Sequence, residues 1–165
     1  MRSEGREYFE DCSIGDRLKT SGRTITETDL VLFAAFSGDW NPLHTDAESA
    51  REGPYGQRVA HGMLSLLAGL NLMFRDGGLG NGFSPRRVLA LTNLKSVRFI
   101  RPVKIGDTLH LTCELVEKLR VSDKQGTVGI RFQVVNHLHE TAITGEIKLL
   151  VACRPSDSTS KEVNG

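Results

Sequence analysis

Paired cysteines, charge of one sign and long apolar runs are all missing from this chain, and each absence removes a class of function. The three cysteines, Cys12, Cys113 and Cys153, are odd in number, widely spaced and without a CxxC pair. Neither a disulfide framework nor a zinc ribbon is indicated, and a reducing cytoplasm is the expected setting. Lys+Arg 21 against Asp+Glu 20 leaves a net charge of +1. No field is available to gather nucleic acid or an anionic membrane, so neither is expected as a partner. The most apolar stretch, residues 63–74, is interrupted by Ser65, Gly69 and Asn71 and falls short of the ~20 residues a bilayer span requires. Residues 1–7 carry no apolar run after their charges, and no secretory signal is expected there. A GxSxG elbow, a Walker loop, a GxGxxG after a strand and an HExxH pair are also missing, which removes the main support for hydrolase, NTPase, dinucleotide and zinc-peptidase readings. His44, Asp46 and His61 are ligand types without a zinc spacing. Neither metal nor cofactor is expected.

What is present suits one domain: 165 residues with 39% hydrophobic content can enclose a single core. Thr26-Glu27-Thr28-Asp29 has the form of a capping box. It predicts a helix through Leu30, Phe33, Ala34 and Phe36, ended by Gly38. Pro42 keeps Asn41 out of helical geometry, so Asp39 to His44 is expected to be a loop after that helix. A short polar helix is expected over 46–52, with Gly53-Pro54-Tyr55-Gly56 as a breaker. A second helix starts near His61-Gly62. Its apolar residues from Met63 to Met73 occupy most of the helical circumference, the pattern of an enclosed core helix, and glycines from Gly77 to Gly82 end it. From Val88 onward the period changes to two and four strands follow. Leu109, Leu111, Cys113 and Leu115 line one face of the second, and Val128, Ile130, Phe132 and Val134 one face of the third. Ile14-Gly15-Asp16 and Ile105-Gly106-Asp107 both read as Gly-Asp turns feeding strands. The domain is placed at 1–153, with 154–165 as a polar tail that has nothing to bury. A curved antiparallel sheet around one apolar helix leaves edge strands open, so dimers are expected.

Chemistry concentrates in two places. Asp39, Asn41 and His44 lie within six residues, beside a proline that stiffens the loop. A carboxylate and an imidazole held so close can share a water molecule, and Asn41 can hold the carboxylate or a ligand by hydrogen bonding. The second place is His61-Gly62-Met63-Leu64-Ser65. The first amides of a helix lack internal partners, and a glycine there admits a ligand oxygen to them. Ser65, one turn further on, can cap or bond its own helix. His137 and His139 fall at a strand turn and are expected to face solvent.

Phe36-Ser37-Gly38-Asp39-Trp40-Asn41-Pro42-Leu43-His44, Ala60-His61-Gly62-Met63-Leu64, Val97 to Val103 and Gly106-Asp107-Thr108-Leu109 together resemble the MaoC-like dehydratase family, over roughly residues 8 to 152. The resemblance implies an α+β hot dog fold and a homodimer. It also implies hydro-lyase activity of the (R)-specific enoyl-CoA hydratase type on an acyl-CoA or acyl carrier protein (ACP) thioester. It places the water-holding pair on Asp39 and His44, its asparagine on Asn41, the oxyanion amide on Gly62 and a serine on Ser65. A 3-hydroxyacyl-ACP dehydratase, a hot dog thioesterase and a non-catalytic acyl-binding subunit are the alternatives. Arg51, Arg58, Arg86 and Arg87 are candidates for CoA phosphates by charge alone.

Overall fold

The computed structural model describes residues 6–77 and 83–155. Chain order is β1 (Arg17–Lys19), β2 (Arg23–Thr24), α1 (Glu27–Ser37), α2 (Pro42–Thr45), α3 (Ala47–Glu52), α4 (Gly62–Leu70), α5 (Leu72–Gly77), β3 (Val88–Phe99), β4 (Thr108–Arg120), β5 (Gln125–Val135) and β6 (Thr141–Ala152). The strands form an antiparallel sheet in the order β1-β4-β5-β6-β3, with β2 also on β4. The alternation seen in the sequence is the cause: Leu109, Leu111, Cys113 and Leu115 on β4 and Val128, Ile130, Phe132 and Val134 on β5 are all buried. They share one core with Leu64, Leu66, Ala68 and Leu70 of α4. This is a hot dog fold, a sheet wrapped on a central helix. Among the described residues no helix is long and apolar enough to cross a membrane.

Both Gly-Asp turns form. Gly15 and Gly106 take φ values of 91° and 95°, a left-handed conformation that costs glycine little. In each, the aspartate carboxylate accepts a backbone amide three residues back, Ser13 N–H to Asp16 at 2.7 Å and Lys104 N–H to Asp107 at 2.8 Å. The same local chemistry thus starts β1 and β4.

Two readings of the central helix are corrected. The helix does not run unbroken: α4 stops at Leu70, and the backbone carbonyl of Asn71 accepts from the amides of Phe74 and Arg75 as α5 begins. Nor is it enclosed all round. The sheet covers one side, while Met63 and Leu67, one turn apart on the other, are 51% and 44% exposed. An apolar circumference signals burial, but it does not say whether the burying surface belongs to the same chain. Edge strand β3 has the same character, with Leu89, Leu91, Leu94 and Phe99 exposed. Val97 packs against the core, while Phe99, two residues on, is exposed. The strand carries register shifts, and Ser96 sits at φ 53°, the irregularity typical of a sheet edge.

The tail expected over 154–165 lies mostly outside the described residues. Arg154 donates its backbone amide to Glu10 at 2.9 Å and pairs with Asp11 at 2.6 Å; residues 156–165 lie outside those described, as do the glycines of 78–82. Asp11 also accepts the amides of Tyr8 and Glu7, and these bonds, led by that from Tyr8, hold its carboxyl below the usual range. All three cysteines are buried as free thiols. Burial pushes Cys12 up to about 11 and Cys113 up to about 12, which keeps both protonated and unreactive.

Candidate functional site

The site is built where α1 ends. Thr26 caps the helix, its hydroxyl accepting from Asp29 N–H while Asp29 accepts from Thr26 N–H. At the other end Gly38 takes φ 76°, and its amide donates to Ala34 O at 2.9 Å. The chain thereby reverses and presents Asp39. Ser37 Oγ accepts the Asp39 amide at 3.2 Å, and Asp39 Oδ1 accepts the Asn41 amide at 3.2 Å. The carboxylate is held by its own loop, half exposed.

Of the two roles expected of Asn41, holding the carboxylate falls to its main chain. Its Oδ1 caps α2 by accepting Leu43 N–H at 3.0 Å. With Pro42 at the first helical position, whose fixed φ suits a helix start, the segment turns helical. The expected loop therefore extends over Asp39 to Asn41, and His44 stands on a single helical turn.

His44 is oriented by a distant element. Its Nδ1 lies 2.7 Å from Val59 O. Because a carbonyl oxygen only accepts, Nδ1 carries the hydrogen and Nε2 is left with its lone pair when the ring is neutral. That Nε2 lies 4.0 Å from Asp39 Oδ2, too far for a direct bond. Val59 is itself tied to Leu43 O and bridges Lys104.

Gly62 opens α4 and is exposed. Its amide has no acceptor among the described residues, as expected for a first-turn N–H. A Cβ here would stand 3.3 Å from the Phe99 ring, so glycine keeps the approach open. Ser65 is buried and its hydroxyl donates to His61 O at 3.1 Å, the self-bonding its helical position allowed. Gly62, Ser65 and His44 line one cleft of about 240 Å³, whose other walls include Leu43, Tyr55, Phe99, Ile143 and Arg101.

The residue that sequence reasoning passed over is His61, which it weighed as a metal ligand type and then left aside. It is 2% exposed. Its Nε2 lies 3.0 Å from the backbone carbonyl of Asp39, and its ring stacks on His44 with centroids 3.9 Å apart at 30°. The signal was its place directly before Gly62. Asp39, His44 and His61 each bring a ligand-type atom within 4.8 Å of the others. His44 Nδ1 and His61 Nε2 both face carbonyl oxygens, so the atoms left to ligate would be His44 Nε2, the buried His61 Nδ1 and an Asp39 carboxylate oxygen. Asp46, the third ligand type in the sequence, instead caps α3 through the amides of Glu48 and Ser49.

Three of the four arginines picked by charge are paired locally: Arg58 with Glu27 at 2.6 Å, Arg51 with Glu48 and Arg87 with Glu7. His137 is half exposed, beside Asp107 at 3.6 Å.

The model of the MaoC-like domain matches residues 10–136. Protein MaoC of Klebsiella aerogenes is 44% identical over 113 residues, 66% of this chain and 31% of that protein; the chain thus spans about a third of that relative. The (R)-specific enoyl-CoA hydratase of Rhodospirillum rubrum is 37% identical over 105 residues, 64% of this chain and 67% of that one. Among solved structures, a monoamine oxidase regulatory protein from Archaeoglobus fulgius superposes with a TM-score of 0.85 at 36% identity. The superposition covers 94% of this chain and all of that one.

Proposed function

Since the chain belongs to the MaoC-like dehydratase family, we propose that it is a hydro-lyase of acyl thioesters. Its reaction in this reading is the reversible hydration of a 2-enoyl-CoA to the (R)-3-hydroxyacyl-CoA. The observation that carries the reading is the 4.0 Å gap between Asp39 Oδ2 and His44 Nε2. A water at an ordinary hydrogen-bond distance of ~2.8 Å from both atoms would subtend an angle of about 90°, close to the angle between its own O–H bonds. Such a water donates both hydrogens to the pair and keeps an oxygen lone pair for attack.

The chemistry then balances. The water oxygen bonds to C3 of the enoyl group as one of its O–H bonds breaks, and the proton passes to the Asp39–His44 pair. The C2–C3 π electrons move toward the thioester carbonyl, whose oxygen gains negative charge. The Gly62 amide, unbonded at the positive end of α4, stabilises that oxygen. C2 takes a proton from the pair as the carbonyl reforms, and the site returns to its starting state. Dehydration is the reverse sequence. Val59 O contributes by holding the His44 tautomer in which Nε2 faces the water.

The test is a panel of 2-enoyl-CoA thioesters of two to three chain lengths, followed by loss of the conjugated enoyl absorbance. Turnover without release of free thiol is the expected result. Release of thiol would make the protein a thioesterase, and inertness on the whole panel, with CoA and with ACP as carrier, would end the hydratase reading.

The same reading includes a homodimer formed on the exposed apolar side, Met63 and Leu67 of α4 with Leu89, Leu91 and Leu94 of β3. An open edge with apolar residues is unstable in water and pairs with another strand. Sedimentation equilibrium should give twice the chain mass of 18.2 kDa, and Leu91→Glu should shift the protein toward the single chain. A monomeric wild type would refute the dimer.

A further inference from the structure

Resting on the hydratase reading, we propose that His61 is a positioning residue of the reaction. Through a hydrogen on Nε2, it ties the backbone carbonyl of Asp39 to the start of α4 and so sets the spacing between the water-holding pair and the Gly62 amide. The tautomer follows from the bond. The Asp39 carbonyl oxygen, 3.0 Å from Nε2, can only accept, so Nε2 carries the hydrogen. Nδ1 is buried without a hydrogen-bond partner, so nothing in the protein calls for a hydrogen there. His44, bonded through Nδ1 to Val59 O, has the opposite tautomer, and the two rings stack.

Packing does not account for this imidazole. The ring lies between Phe33, at 4.9 Å, and His44, a slot that a phenyl group would also fill. A buried nitrogen without a partner is unfavourable, and native interiors contain few of them. What the imidazole adds over a phenyl ring is the Nε2–H bond across 22 residues to the Asp39 carbonyl. His61 is also the N-cap of α4, and its own carbonyl accepts both the Ser65 amide, at 3.0 Å, and the Ser65 hydroxyl. One residue therefore touches the base loop, the His44 ring, the oxyanion glycine and the serine. Reaction rates fall steeply when reacting groups shift by even an ångström, and this bond spans the two halves of the site that must hold their distance.

Two variants separate the hydrogen bond from the stacking. His61→Phe keeps a ring and removes the donor; His61→Gln removes the ring, and its amide reaches about where Nε2 lies. For 2-enoyl-CoA hydration, His61→Phe should lower kcat by roughly 10- to 100-fold with KM little changed, and His61→Gln should recover most of the loss. A folded His61→Phe with wild-type kcat, or equal impairment of the two variants, would overturn the proposal. Nitrogen-15 NMR of the histidine rings gives a readout that needs no turnover. In the wild type His61 should be protonated on Nε2 and His44 on Nδ1, and a hydrogen on His61 Nδ1 instead would also overturn it. Should the wild type prove inert on every enoyl thioester, the hydratase reading fails, while the NMR measurement still decides whether the His61 to Asp39 bond exists.

Discussion

Asp39→Asn should lower kcat for enoyl-CoA hydration by about 10²- to 10⁴-fold, the range that a positioned acid or base contributes, with KM nearly unchanged. The substitution keeps the shape of the side chain, and the remaining oxygen still accepts the Asn41 amide now bonded to Oδ1. It replaces an acceptor of protons with an amide that cannot take one. His44→Asn is the matching change on the other side. Its amide nitrogen stands near the position of Nδ1 and preserves a donor to Val59 O, while nothing remains where Nε2 faces Asp39 across 4.0 Å. The two changes should not add: once either member is gone the shared water is lost, and the double variant should resemble the worse single one. Loss of enoyl absorbance measures the rates, and circular dichroism confirms the fold. Either single variant retaining full activity would remove its residue from the mechanism.

The second large effect concerns stability. Gly69 lies inside α4, where replacing glycine with alanine ordinarily gains about 0.5–1 kcal/mol. Here the expected sign is reversed. A Cβ at Gly69 would stand 2.6 and 2.7 Å from the two methyls of Val134, a residue with no exposed surface on the inner strand β5. The helix backbone and the sheet are in direct contact at this point, and neither can retreat without disturbing the core on both sides. Overpacking of this kind costs about 1–3 kcal/mol, so Gly69→Ala should lower the melting temperature by several degrees despite its better helix propensity. Val134→Ala made in the Gly69→Ala background should restore part of the loss, because the new methyl then has somewhere to go. If Gly69→Ala alone stabilises the protein, the helix and sheet are not in the contact described.

These two glycines show how differently sequence and structure speak. The place of Gly62 was legible beforehand, because the features of a glycine at the start of a helix depend on local geometry alone: an unbonded amide and no side chain over it. Gly69 looked like an interruption in an apolar stretch, and its purpose lies in Val134, which is 65 residues away and adjacent only after the sheet has wrapped the helix.

The same division runs through the rest of the molecule. Most of what depends on neighbours within one turn or one strand was determined by the sequence, the helical turn at Pro42–Thr45 being the exception. The capping box at Thr26, the reversal at Gly38, the two Gly-Asp turns and the alternating faces of β4 and β5 all obey steric and hydrogen-bonding rules that act over two to five residues. The closeness of Asp39 and His44 belongs here too, since a capped loop and one helical turn separate them. Tertiary structure decided what crosses between elements. It turned the His44 ring through Val59, 15 residues away, brought His61 under Asp39, and left Met63, Leu67 and the face of β3 uncovered. Spacing along a chain limits distance within an element, but the direction in which a loop returns depends on the packing of the whole core. The tautomers of the two stacked histidines were set at that level, by carbonyl groups whose positions no local pattern encodes.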